Sequence, residues 1–278
     1  MQMKCGLLAF FIIFLIVSIS PVIGLNAHDA VLELNMDEPT GSISFNDISG
    51  NNNNANCVSC PKAGFEGIIG TSLYFNTENY LIVPGSDSLG MTNAIAIEAW
   101  IYPLQYSSYN RIITKERESF VLRLENGFPV LYFIADHLYK ASADTKLSKN
   151  NWYQIIGTWD SQEKKLKIYI NGKETSYQQQ DVFDGPLNSI KSDLYISTPT
   201  ESFLGIVDKI AIYDRSLNSN EILLKYKNDV KRLRYIHRSI DRWHKQNMRS
   251  AVQEKLCFSL HHYSEVFYTP TTSQRLVV

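Results

Sequence analysis

The sequence predicts an all-β chain: an antiparallel sandwich or barrel followed by a C-terminal helical extension. Three observations predict it. A dozen short segments rich in β-branched and aromatic residues follow one another between Asp29 and Tyr213. No helical period separates them, which excludes an alternating α/β architecture. Asn-Gly pairs sit between strand arms at Asn126-Gly127 and Asn171-Gly172, the sequence of a two-residue type I′ turn between antiparallel neighbours. With 278 residues, 44% apolar and 20% charged, the chain can bury a full core in one main domain.

In chain order the predicted strands are AVLELNM, SLYFN, NYLIVP, AIAIEAWIYP, RIITK, SFVLRLE, FPVLYFIAD, LYKASAD, WYQIIGTWD, LKIYI, SDLYIST and IVDKIAIYD, each bounded by Asn, Gly, Asp, Ser or Pro. In AIAIEAWIYP, Ile95, Ile97, Ala99 and Ile101 alternate with Ala96, Glu98, Trp100 and Tyr102. One face therefore suits a core, and the other presents a carboxylate beside two rings, as a semi-exposed sheet face or a ligand platform. In IVDKIAIYD a period of two places Asp208 with Ile206, Ile210 and Ile212. A bare carboxylate on such a face costs several kcal/mol and requires a partner, either a cation or backbone N–H groups. No internal repeat of roughly 20 to 50 residues supports a solenoid or propeller.

The ends differ from the body. Residues 1–27 hold one early lysine, an apolar run from Gly6 to Ile19, a break at Pro21 and small residues at Gly24 and Ala27, the pattern of a secretory signal. The uncharged stretch from Cys5 to Ala27 is 23 residues, also long enough for an uncleaved anchor. Both readings put the body outside the cytoplasm, extracellular or at the cell surface. Cys57 and Cys60 form a CxxC without a second CxxC, a His pair at ligand spacing or a βαβ context. They are expected as a small loop disulfide in an oxidising compartment. The helix SNEILLKYKNDV, capped by Ser219 or Asn218, closes a domain spanning 28–229. Beyond it, residues 230–278 carry 9 Lys/Arg and 3 Asp/Glu against 18 and 25 before them. Leu233, Ile236, Ile240 and Trp243 there keep helical spacing. This basic tail is expected to dock on the acidic body or to meet a membrane or polyanion. No nucleic-acid partner is expected.

Read in order, LNMDEPTGSISFNDISGNNNNA, CPKAGFEGIIGTSLYFNT, NNWYQIIGTWD, KLKIYINGKE and FLGIVDKIAIYDRSLNSNEILLKY resemble the concanavalin A-like lectin/glucanase superfamily, in its laminin G-like, pentraxin-like branch, across residues 30–226. The resemblance implies a jelly-roll of two antiparallel sheets in an extracellular binding module. It also implies a structural calcium ion where the first loop meets the last strand. Asp47, Asn51, Asn53 and Asp208 supply oxygens of the kind calcium takes; the alternative is that Asp208 accepts backbone N–H groups and the asparagines form turns. The superfamily includes glycoside hydrolases, but the ExDxxE strand pattern of its laminarinase-type members is absent, and no enzyme is expected. Binding of a glycan or an extracellular protein remains, with Tyr106, Tyr109, Trp159 and Tyr195 in or beside loops as candidate ligand rings. A purely structural domain is the further alternative.

Overall fold

A computed structural model describes residues 29–115, 119–187 and 191–232. The expected signal or anchor, the tail with Leu233, Ile236, Ile240 and Trp243, and Cys5 and Cys257 lie outside the described residues. Two antiparallel sheets stack as a sandwich. In the first, β14 (Lys173–Glu174), β13 (Lys167–Ile170), β12 (Tyr153–Asp160), β7 (Ala94–Pro103), β17 (Gly205–Tyr213), β5 (Thr71–Phe75) and β4 (Lys62–Glu66) lie in that order, and β1 (Leu32–Leu34) also pairs with β17. The second runs β15 (Tyr177–Gln180), β11 (Leu138–Ala143), β10 (Phe128–Ile134), β9 (Val121–Glu125), β8 (Tyr109–Lys115), β16 (Leu194–Ile196), β6 (Leu81–Val83), β3 (Ala55–Asn56) and β2 (Ser44–Phe45). The helix α1 covers residues 219–232, running past the expected boundary at 229. No helix among the described residues is long and apolar enough to cross a membrane.

The core lies between the sheets. Ile97, Ile101 and Ile212 of the first sheet meet Leu122, Leu131 and Phe133 of the second, all fully buried. Both Asn-Gly pairs turn as expected. Asn126 and Gly127 have φ of 51° and 93°, Asn171 and Gly172 of 52° and 80°. Positive φ at both central positions is what a type I′ turn demands and what Asn and Gly supply most cheaply.

The alternation of β7 holds. Ile95, Ile97, Ala99 and Ile101 enter the core, while Ala96, Glu98 and Trp100 face outward. The alternation of β17 does not. Its pairing with β7 slips between Asp208 and Ile210, and Lys209 adopts a φ of 44°. Val207, Ile210 and Ile212 are the core residues, so Asp208 sits opposite Trp100 on the outer face rather than beside Ile210 and Ile212. A β-bulge at one residue breaks the period of two and moves every later side chain to the other face. The bulge has a topological reason. One edge of β17 pairs with β5 at Gly205–Val207 and with β1 at Ile210–Ile212, and the bulge falls at the handover.

Candidate binding surfaces

α1 roofs one half of the outer face of the first sheet. Asn218 caps it: its Oδ1 accepts from the Asn220 and Glu221 amides (3.0 and 3.1 Å), and Glu221 Oε2 accepts from the Asn218 amide (2.9 Å). This reciprocal pair is a capping box with Asn218, not Ser219, at its head. Ile222 and Leu217 pack on Ala96, Ile156 and Ala211 of the sheet. Tyr226 stacks on Trp100 at a centroid distance of 5.8 Å, and the Trp100 indole donates to Asp229 Oδ2 (3.0 Å).

Beneath this roof lies a network of buried charge. Glu98, fully buried, accepts from Gln154 Nε2 (2.8 Å) and the Tyr213 hydroxyl (3.3 Å), and pairs with Lys225 Nζ of α1 (3.1 Å). Burial alone would raise its pKa, but the Lys225 and Lys209 charges and the hydrogen bonds outweigh burial and hold it below the ordinary value. Lys209 reaches Asp229 at 3.2 Å. Burial nevertheless keeps the Asp229 carboxyl above its ordinary value against the pull of Lys209. A cleft lined by Asp29, Glu33, Lys209, Arg215 and Lys225 opens at the edge of the network. Its cations already pair with Asp29, Glu221, Asp229 and Glu98. The carboxylate expected on an open sheet face is thus an interior ion sealed by the helix.

Asp208 is the second fully buried carboxylate of this face and has no cationic partner among the described residues. Its Oδ2 accepts from the Ile68 amide (2.7 Å) and the Ile69 amide (3.1 Å), in the turn joining β4 to β5. Asp37 Oδ1 accepts from the Thr71 amide (2.7 Å) at the other end of that turn. A Cβ on Gly67 would lie 2.7 Å from Asp208 Oδ2, and one on Gly70, where φ is 74°, 2.2 Å from Asp37 Oδ1. The two glycines of FEGIIGT therefore let carboxylates approach the backbone from both sides. Asp208 Oδ1 is buried without a hydrogen-bond partner. Burial, reinforced by the Asp37 charge and only partly offset by the backbone N–H bonds, pushes its pKa up to about 7.

The four residues expected to share one oxygen shell occupy two places. Asp47 spends both oxygens on its own loop and on β1: Oδ1 accepts from the Glu33 and Ser49 amides, and Oδ2 from the Ser49 hydroxyl and the Asn53 amide, all at 2.8 to 2.9 Å. The Asn53 side chain donates to the Val31 carbonyl (2.7 Å) and Ser88 Oγ (2.9 Å) and accepts from Ser86 (2.6 Å). Asn51 Nδ2 donates to Ser49 Oγ (3.1 Å) and the Ala30 carbonyl (3.4 Å). This loop is knitted to β1, while the contacts of Asp208 lie with Ile68 and Ile69. Among the described residues no three His, Cys, Asp or Glu side chains gather as a metal cluster. Of the four residues, Asp208 alone keeps a buried side-chain oxygen, Oδ1, without a hydrogen-bond partner, and the Asp37 charge acts on the same carboxyl.

The four candidate rings separate as well. Trp159 is a core residue, 1% exposed, wedged against Phe133 and Phe183 with its indole donating to the Phe183 carbonyl (3.1 Å); it does lie beside a loop, at the end of β12, but its ring points into the core and does not serve as a ligand ring. Tyr106 braces the β9–β10 turn: its ring lies against Gly127, and its hydroxyl donates to the Leu147 carbonyl (2.9 Å). Tyr109 and Tyr195 share the outer face of the second sheet. Tyr109 is 43% exposed, and the Arg123 guanidinium lies 4.3 Å above its ring and 4.5 Å from that of Tyr132. Arg123 pairs with Glu125 (2.6 Å), Glu125 with Lys140 (2.8 Å), and Arg111 with Glu201. Tyr195 lies 6.2 Å from Tyr80. Cys57 and Cys60 are joined by a disulfide, with Val58 at its tip 87% exposed.

The two antiparallel sheets form a β-sandwich whose outer faces carry aromatic and ion-paired side chains. A family model described as the Concanavalin A-like lectin/glucanases superfamily (Laminin_G_3) matches residues 75–223, and the chain belongs to this superfamily. A search of curated proteins found no match. Among solved structures, the chain is similar to the binding domain of Paraclostridial Mosquitocidal Protein 1 (17% identity, TM-score 0.57, covering 71% of this chain and 51% of that one). It is also similar to domain 4 of AbnA, a GH43 extracellular arabinanase from Geobacillus stearothermophilus in complex with arabinotriose (18%, 0.56, 70% and 96%). A third similar structure belongs to botulinum neurotoxin type C, whose cell entry is described as dependent on interaction with two ganglioside molecules (16%, 0.57, 73% and 52%). The chain thus spans about half the length of the toxin structures it matches. At these identities the likeness shows the fold.

Proposed function

We propose that this chain is a secreted or surface-attached, non-catalytic binding module for carbohydrate. The observation that carries the reading is Tyr109, an exposed ring on a rigid sheet, stacked on a guanidinium that is itself fixed by Glu125. Such a ring packs on the C–H face of a sugar, while neighbouring charged groups bond its hydroxyls. The arabinotriose and ganglioside partners of the structures with this fold support the same ligand class. Glu98, the carboxylate that the sheet face beside two rings offered as a candidate, is committed to Lys225 beneath α1, which supports a non-catalytic reading. The test is a glycan array probed with the full chain and with Tyr109→Ala. Selective binding lost in the variant supports the proposal; a silent array would favour an extracellular protein partner or a structural role.

A second proposal concerns calcium. The unpaired, buried Oδ1 of Asp208, with Asp37 close by, supports a hard cation held there. An ion bound only by the folded state stabilises it by mass action. Chelation with EDTA is then expected to lower the melting temperature of the wild type and leave Asp208→Asn unchanged. Identical melting with and without chelator would overturn the proposal.

A further inference from the structure

The half of the first sheet's outer face that α1 leaves unroofed carries a row of aromatic side chains with Ile206 between two of them. Register places it. Tyr102 of β7 stands opposite Ile206 of β17, and Ile206 opposite Tyr74 of β5. Tyr153 pairs with Ile101, so Trp152 lies next to Tyr102, and their rings are 5.6 Å apart. At the other end Phe65 of β4 meets Tyr74 at 5.5 Å. Trp152, Tyr102, Ile206 and Tyr74 are half-buried and Phe65 is 38% exposed. The row runs from Trp152, the residue before β12, across β7, β17, β5 and β4, a span of roughly 19 Å at the usual strand spacing.

We infer that this row is a carbohydrate-binding strip, distinct from the Tyr109 face and on the opposite side of the sandwich, which takes an extended neutral polysaccharide. Three features select that ligand. The row lies on an open sheet face, its neighbouring rings tilted by 40° and 58°, whereas a small apolar molecule needs a concave pocket to bury its surface. The area is too small for a protein partner or a second copy of this chain. Four aromatic side chains expose at most roughly 150–250 Å² each, and these are already half-covered, so the strip falls well below the roughly 800 Å² per partner of a standard protein interface. Finally, the five residues carry no charge, and Lys62, opposite Tyr74, is the cation at the end of the row, so a polyanion has little to pair with. Aromatic rings in a line, set on or directly beside strands, suit the apolar faces of successive sugar rings in an extended β-linked chain.

The experiment is isothermal titration of the full chain with cellohexaose and chitohexaose, repeated with Tyr74→Ala, Trp152→Ala and Tyr109→Ala, with the melting temperature of each recorded. Binding by the wild type, weakened roughly tenfold or more in Tyr74→Ala and in Trp152→Ala at unchanged melting temperature, is the expected result. No binding of either hexasaccharide, or row variants that bind like the wild type, would overturn it. Loss confined to Tyr109→Ala would assign the sugar to the opposite face, sinking the strip while leaving the proposed function standing. Should Trp152→Ala fail to fold, Trp152→Leu keeps the bulk and removes the stacking ring.

Discussion

The outer face of the first sheet is two surfaces on one set of strands. Under α1 it holds interior chemistry: Glu98, Lys225, Lys209 and Asp229 compensate one another, and Trp100 is sealed by Tyr226. Beyond α1 it shows Trp152, Tyr102, Ile206, Tyr74 and Phe65 with no described element across them. Asp208 sits at the border, as deeply buried as Glu98 but without the cation that the helix brings to Glu98. A roof turns polar residues into stabilising structure only when it carries the counter-charge, and leaves rings beyond its rim available to a ligand.

The largest effect expected follows from removing that counter-charge. Lys225→Met leaves Glu98 buried and uncompensated, a loss of about 3–5 kcal/mol measured by urea unfolding. The double variant Glu98→Gln with Lys225→Met should recover most of it; no recovery would mean that α1 is held by packing alone.

Asp208 gives the next effect, read as a function of pH. Its folded pKa, about 7, lies above the ordinary carboxyl value. The folded state therefore binds the proton more tightly, and the associated stability is present at acid pH and lost as pH rises through about 7. With chelator present, the wild type should lose a few kcal/mol between about pH 4 and pH 7.5, while Asp208→Asn should show a flatter profile. A wild-type profile as flat as that of the variant would show that Asp208 is compensated after all.

These two carboxylates also mark what could be read from the sequence. The alternation in AIAIEAWIYP correctly put Glu98 and Trp100 opposite the core residues Ile97 and Ile101, and SNEI correctly marked the start of the helix. Both are local patterns. The bulge at Lys209 was not legible, because it arises where β17 changes partner from β5 to β1, a long-range event that no local residue announces. Lys225 as the partner of Glu98 was hidden for the same reason. The sequence places Trp159 at the end of a strand beside a loop, and it is there, but the face its ring takes depends on the register of β12, which carries it into the core. β2, β3, β4 and β15 were missed because they are two to five residues long and mostly exposed. The ring row was hidden because its members come from four strands and the residue before a fifth, scattered between Phe65 and Ile206.

Smaller effects sharpen the contrast away from this face. Cys57→Ser with Cys60→Ser opens a loop with a sequence separation of 3, and by loop closure should cost about 2 kcal/mol or less in urea unfolding. A larger loss would tie that loop to the packing of β3 and β6. Smallest of all in stability should be Tyr74→Ala, about 1 kcal/mol, since its ring lies on the outer face and is only partly buried.

The division of the face is tested most directly by measuring two quantities, the urea midpoint and the cellohexaose affinity, on Lys225→Met and Tyr74→Ala side by side. The expected result is a double separation: Lys225→Met loses stability yet binds like the wild type at temperatures where it is folded, and Tyr74→Ala keeps its midpoint and loses binding roughly tenfold. If Tyr74→Ala unfolds as readily as Lys225→Met, or binds the sugar as well as the wild type, the two halves are not the separate surfaces described.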